Sequence, residues 1–195
     1  MNAVRRLSQA ISEGDGISLL VPVDDAETAR KAEAEGAEGL VVGRELAGLR
    51  EASGLPVLCQ IEGPAAAVEV GADACLLRVE TAGDGTSLAD LHAQAEELGI
   101  EPVIGVRNDE ELEFALEQVD PEIVLLSAVA EEDDGDPLER VLDLLPDVPA
   151  GKLAIADVVV HTREDVVALE TAGVDAVIVR PGDVARLVGG APPEV

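Results

Sequence analysis

Eight short apolar runs recur along the chain, each closing near a turn residue and each followed by a stretch with helical spacing. They are Ile17–Val23, Gly39–Val42, Pro56–Gln60, Ala74–Val79, Pro102–Val106, Ile123–Ser127, Leu153–Ala156 and Ala176–Val179. Apolar residues fill each run without alternation, as in parallel strands covered on both faces. Helical patterns occupy the intervals: Asp25–Glu35, Arg44–Ala52, Pro64–Val70, Ser87–Leu98, Asn108–Gln118, Asp136–Leu145, Thr162–Ala172 and Pro181–Val188. Residues Asn2–Ser12 predict a further, leading helix. Asp24 or Asp25, Asn108 and Thr162 stand where an N-cap oxygen is needed, and the last two have Glu111 and Asp165 three residues on. Pro64 suits a first helical turn, and Gly99 suits the turn after a helix.

One segment repeats. Glu35-Gly36-Ala37-Glu38-Gly39-Leu40-Val41-Val42 resembles Val70-Gly71-Ala72-Asp73-Ala74-Cys75-Leu76-Leu77 and Ala172-Gly173-Val174-Asp175-Ala176-Val177-Ile178-Val179. In each, a glycine ends a helix and a short acidic turn feeds a buried strand. One such unit cannot bury its own face, so units must stack. Eight units predict an α/β fold, a compact (β/α)8 TIM barrel with minimal loops, because closure leaves no edge strand. The 195 residues are few for it, against roughly 250 in a typical barrel. An open doubly wound sheet is the alternative. The expected division is an N-terminal helical extension over 1–16, packed on a single barrel over 17–195.

Composition narrows the function. The chain has 41 acidic and 13 basic residues and a formal net charge of −28. It is 47% hydrophobic, which excludes an acidic disordered chain. With no Trp, no Tyr and Phe114 as the one Phe, the core must be aliphatic. Nucleic acid is excluded as a partner, since phosphates would be repelled and no aromatic platform exists. A membrane surface is disfavoured on the same electrostatic ground, and no apolar run approaches a spanning length. No signal peptide is legible at Met1–Gly14, so the expected location is cytoplasmic. Acids spread along the whole chain, with two lysines against eleven arginines, suit a high-salt cytoplasm. A merely acidic mesophilic protein is the alternative. Cys59 and Cys75 have no metal spacing and read as small buried hydrophobes.

Several segments carry a resemblance. They are Leu55-Pro56-Val57-Leu58, Gly71-Ala72-Asp73-Ala74, Leu98-Gly99-Ile100-Glu101-Pro102-Val103, Asn108-Asp109-Glu110-Glu111-Leu112-Glu113, Thr162-Arg163-Glu164-Asp165-Val166 and Ala172–Val179. Across most of 55–180 the chain resembles indole-3-glycerol-phosphate synthase, within the ribulose-phosphate-binding barrels. The resemblance implies a ring closure with loss of carbon dioxide and water. That chemistry needs a general-acid lysine, supporting glutamates and a phosphate site. The strand-one lysine falls near Val23 or Asp24, and the strand-three lysine at Gln60. The strand-five glutamate falls near Gly105, the strand-six asparagine near Ser127 and the strand-seven glutamate near Asp157. The phosphate-binding glycines fall near Val159 and Arg180. Of the family's leading substrate-binding segment, Met1–Gly16 stands before strand one. The resemblance therefore implies ancestry, and the eroded set predicts a barrel that has lost the synthase reaction.

Strand C-termini form the active face of such barrels. Arg44, Arg78, Arg107 and Arg180 fall there, and guanidinium groups suit a small anionic or phosphorylated metabolite. Pairing with rim carboxylates such as Glu45, Glu62, Glu80 or Asp157 is the competing expectation. Asp157, Glu62 and Glu80 are candidates for acid/base work, with Asp157 and Glu62 the pair expected to serve catalysis. His161 could donate to a ligand, and His92 is expected to face solvent. The run Glu131–Asp136 lacks calcium-loop spacing and reads as a solvated loop. Gly83–Ser87 is followed by no lysine, so it is no Walker loop, and Ser87 reads as a helix cap. No Gly-x-Gly-x-x-Gly follows strand one. No metal and no cofactor is expected. Two alternatives stay open: a divergent lyase or isomerase of a phosphorylated sugar, and a structural barrel with no ligand, natural or engineered. The sequence leaves the oligomeric state open.

Overall fold

The computed structural model describes residues 7–14, 16–61, 63–79, 87–127 and 136–187. Eight parallel strands close into a barrel in sequence order, β1 beside β8. The strands are β1 (Ser18–Pro22), β2 (Gly39–Val42), β3 (Val57–Cys59), β4 (Ala74–Arg78), β5 (Glu101–Val106), β6 (Ile123–Ser127), β7 (Leu153–Asp157) and β8 (Ala176–Ile178). The helices are α1 (Leu7–Ser12), α2 (Ala26–Glu35), α3 (Leu49–Ala52), α4 (Pro64–Glu69) and α5 (Leu88–Glu97). Then come α6 (Asp109–Val119), α7 (Pro137–Leu144), α8 (Arg163–Ala172) and α9 (Val184–Leu187). All eight predicted strands and the closed barrel are present; the open sheet is not.

The helix starts follow their caps. Asp25 accepts from Thr28 N, Asn108 from Glu111 N, and Thr162 and Asp165 form a reciprocal box, as do Ser87 and Asp90. Two helices begin later than the pattern predicts. Gly48, at φ 75°, interrupts the run before α3, and Gly182, at φ 86°, delays α9. The side chain of His92 is only 14% exposed, against the solvent-facing position expected. It stands four residues after buried Leu88 and three before buried Ala95, on the inner stripe of α5.

The repeat has a structural meaning. Asp73 Oδ2 accepts from Val57 N at 2.8 Å, and Asp175 Oδ2 accepts from Ala154 N at 2.8 Å. In each case the acid entering one strand ties down an amide at the start of the strand before it, the first of β3 and the second of β7. Arg50 reinforces the first tie, reaching Asp73 at 2.5 Å and the Leu55 and Gly71 carbonyls.

Two aliphatic layers result. One lies between strands and helices and includes Cys59 and Cys75, both fully buried and paired in register. The other fills the barrel: Leu20, Val41, Leu58, Leu76, Val103, Leu125, Ile155 and Ile178, one from each strand, are among its members. Leu7 and Ile11 of α1 join this inner layer. Glu101, the first residue of β5, accepts from Leu7 N at 2.7 Å and Ser8 N at 3.3 Å, and also from the Ser8 hydroxyl. α1 therefore plugs the N-terminal end of the barrel, opposite the strand C-termini.

Candidate functional site

Side chains alternate along a strand, so the residue two beyond an interior one also faces inward. Counting on from the inner layer places Pro22, Gly43, Gln60, Arg78, Gly105, Ser127, Asp157 and Arg180 around the C-terminal mouth. Gln60, Gly105, Ser127 and Asp157 are the positions to which the resemblance assigns the family's lysine, glutamate, asparagine and glutamate. All four lie on this ring.

Arg78 and Asp157 act on one another across the mouth. Arg78 pairs in register with Gly105, and Ser127 with Asp157. A Cβ built on Gly105 would lie 3.6 Å from Arg78 Cγ and 3.1 Å from Leu76 Cδ1. Leu76 is thus the tight neighbour of position 105, and the arginine stem lies at ordinary contact distance from it. Burial pushes the Asp157 carboxyl above its ordinary range, and the positive charge of Arg78 pulls partly back. The Ser127 hydroxyl makes a long contact, 3.5 Å, to the Val106 carbonyl.

The other three arginines are placed differently. Arg44 is exposed and donates to the Asp24 carbonyl at 2.7 Å. Arg107 turns to Glu111, its Nε lying 3.0 Å and 3.1 Å from the two carboxylate oxygens. Arg180 is exposed beyond β8. Of the four, Arg78 is the one whose charge acts on Asp157. Glu62 and Glu80 lie outside the described residues, as do 83–86 and 131–135 of the two loops. Asp136 caps α7.

The corner after β7 and β8 is tied to itself. Asp165 accepts from His161 N at 2.8 Å and Thr162 N at 2.9 Å, so the two amides that lead into α8 meet a carboxylate of the helix's first turn. These bonds hold Asp165 below its usual pKa. Asp183 opens α9 and pairs with Arg186 at 3.1 Å. Arg186 also donates to the His161 carbonyl at 2.5 Å, joining the two loops. Sequence reasoning missed this lock, although the Asp183/Arg186 spacing was visible.

Both lysines lie away from the mouth. Lys31 is on α2, 3.7 Å from Glu35. Lys152 precedes β7 and meets Asp120 at 2.5 Å, at the N-terminal end of the barrel. The thiols are inert, with Cys59 raised by burial and Cys75 pushed up to about 12. Among the described residues no three His, Cys, Asp or Glu side chains are grouped to hold a metal. Among the same residues no helix is long and apolar enough to cross a membrane.

The raised carboxyl gives a first expected result. A carboxyl with a raised folded pKa favours the fold in its neutral form, and that contribution is lost as pH rises through the folded value. Asp157→Asn will therefore leave stability unchanged near pH 3 and raise it at pH 7, in urea titrations at the two pH values. A variant less stable at pH 7 would show that Arg78 outweighs burial.

Comparison places this chain among the TIM barrels. Three solved structures share its fold. N-acetylmannosamine-6-phosphate 2-epimerase from Clostridium perfringens matches with TM-score 0.66 and 16% identity, over 87% of this chain and 88% of the other. Thiamine phosphate pyrophosphorylase from Pyrococcus furiosus gives 0.64 and 16%, over 88% and 90%. A tryptophan synthase alpha-subunit mutant from Pyrococcus furiosus gives 0.57 and 20%, over 86% and 88%.

Within that class, residues 59–182 match the family model described as indole-3-glycerol phosphate synthase, and the chain belongs to this family. A relative from Variovorax paradoxus (strain S110), an indole-3-glycerol phosphate synthase, is 36% identical over 110 residues. The match takes in 56% of this chain and 41% of that relative, so less than half of the relative's length is represented.

Proposed function

We propose that this chain is a barrel of the indole-3-glycerol phosphate synthase family that does not carry out the synthase reaction and holds a small anion at its C-terminal mouth. The observation that carries the reading is the mouth ring. It presents Gln60, Gly105 and Asp157 where ring closure needs a lysine and its glutamates, with Arg78 on the same ring, and Lys31 and Lys152 lie elsewhere. A lysine general acid is thus out of reach of the mouth. Arg78 supplies the positive charge that an anion requires.

The test is an assay for formation of indole-3-glycerol phosphate, run in high salt. No turnover above the protein-free control is expected. Sustained turnover abolished by Asp157→Asn would overturn the reading.

Asp157 favours a second reading, a divergent lyase or isomerase of a phosphorylated sugar. A desolvated carboxyl facing a barrel mouth is poised for proton transfer. Conversion of pentulose and hexose phosphates, lost in Asp157→Asn, would support it over the first.

A further inference from the structure

We infer that the flank of α6 turned toward α7 is a docking groove for a basic amphipathic helix of a partner protein. α6 packs closely against α5 and stands off from α7. α7 stops at Leu144, two residues before Pro146, and the chain leaves through a 3-10 turn over Leu145–Asp147. The lower half of the α6 flank therefore faces that turn in place of a helix. A groove of about 610 Å³ results. Leu112 and Leu116 form its floor, Asp109, Glu113 and Glu117 stand along the α6 wall, and Asp147 stands opposite. Among the described residues no lysine or arginine lines it. The four carboxylates are exposed and have no side-chain partner among the described residues.

Spacing and sign select the partner. Leu112 and Leu116 are one turn apart, and Asp109, Glu113 and Glu117 repeat at the same interval, over about 12 Å of helix. A helix lying along the groove has that repeat, so its leucines can meet the floor while lysines or arginines meet the wall. Burial of the leucines supplies the attraction, and the carboxylates choose the sign of charge. A neutral or acidic segment would shield these carboxylates from water without a counter-charge. A second copy of this chain would bring another −28 to the same acids. The groove between α2 and α8 differs, because Arg163 stands among its acids Glu38 and Glu170. One-signed walls over an apolar floor therefore point to a basic partner at α6.

The experiment is amide-resonance mapping of the full chain in about 1 M potassium chloride. There the screening length is about 3 Å, so diffuse attraction to the net charge is suppressed. The probe is a synthetic helix of about 18 residues, with leucines at one-turn spacing flanked by lysines. The same residues in scrambled order form one control arm, and spermine forms the other. Saturable shifts at residues 112–117 and at Asp147 are expected with the ordered peptide. Affinity should fall about tenfold or more in Glu113→Lys/Glu117→Lys, an exposed pair whose reversal lowers the net charge, and in Leu116→Ser. If Leu116→Ser fails to fold, the charge-reversed variant and the scrambled peptide still decide. Equal affinity for the scrambled peptide, or affinity unchanged by charge reversal, would overturn the inference. Spermine saturating the same amides as tightly as the peptide would replace the helix with a small polycation. Absence of saturable shifts with the ordered peptide would remove the docking groove altogether.

Discussion

Leu7→Ala will destabilise the fold by about 2–5 kcal/mol, the range for emptying a leucine site in a packed interior. Leu7 is fully buried and shares the inner layer with Leu20 and Leu58, so its loss opens a cavity at the floor of the barrel. Gly39 shows how little slack exists there: a Cβ on it would lie 2.6 Å from Leu20 Cδ2 and 3.4 Å from Leu7 Cδ1. The neighbours already interlock and cannot refill the space cheaply. Glu101→Gln should cost less, about 1–3 kcal/mol, because the amide keeps one acceptor for the Leu7 and Ser8 amides. Urea unfolding at constant salt measures both. A Leu7→Ala cost below about 1 kcal/mol would mean that α1 is an ornament on the barrel and not its floor.

Salt will raise stability over a wide range. Between 0.1 M and 1 M the screening length falls from about 10 Å to about 3 Å, and repulsion among surface carboxylates falls with it. With 41 acids against 13 bases, that repulsion exceeds what any exposed pair returns. Asp73 will gain least from screening, since its side chain is 9% exposed and already held by Arg50. The urea midpoint should climb steadily with potassium chloride. A flat midpoint from 0.1 M to 3 M would remove the basis for a high-salt habitat.

The barrel was legible because eight continuous apolar runs with helical intervals leave few other closed arrangements. The caps were legible for a similar reason, since Asn108, Thr162 and Asp25 act within three residues of themselves. The mouth was legible by parity alone. Counting by twos from Leu76, Leu125 and Ile155 reaches Arg78, Ser127 and Asp157. What parity does not give is where a long side chain goes once its strand has ended. Arg107 has inward parity and bends to Glu111; Arg44 bends to the Asp24 carbonyl. The anchoring of α1 on Glu101 spans more than ninety residues, and no local pattern announces a contact of that range. His92 is polar yet lies on the stripe of α5 that Leu88 and Ala95 bury, a placement that residue type alone does not give.

The two aspartate ties have a consequence for how the chain is divided. Asp73 binds within the first four strands, and Asp175 binds within the last four. A cut between β4 and β5 would sever neither, so each half of the ring carries its own latch. The seam between the halves is closed by the β4–β5 and β8–β1 ladders. It is also bridged by Glu101 of the second half, which grips a helix from the first. The plug is therefore also a rivet: it joins the two halves at the end of the molecule farthest from the mouth, where a changing ligand site would least disturb it.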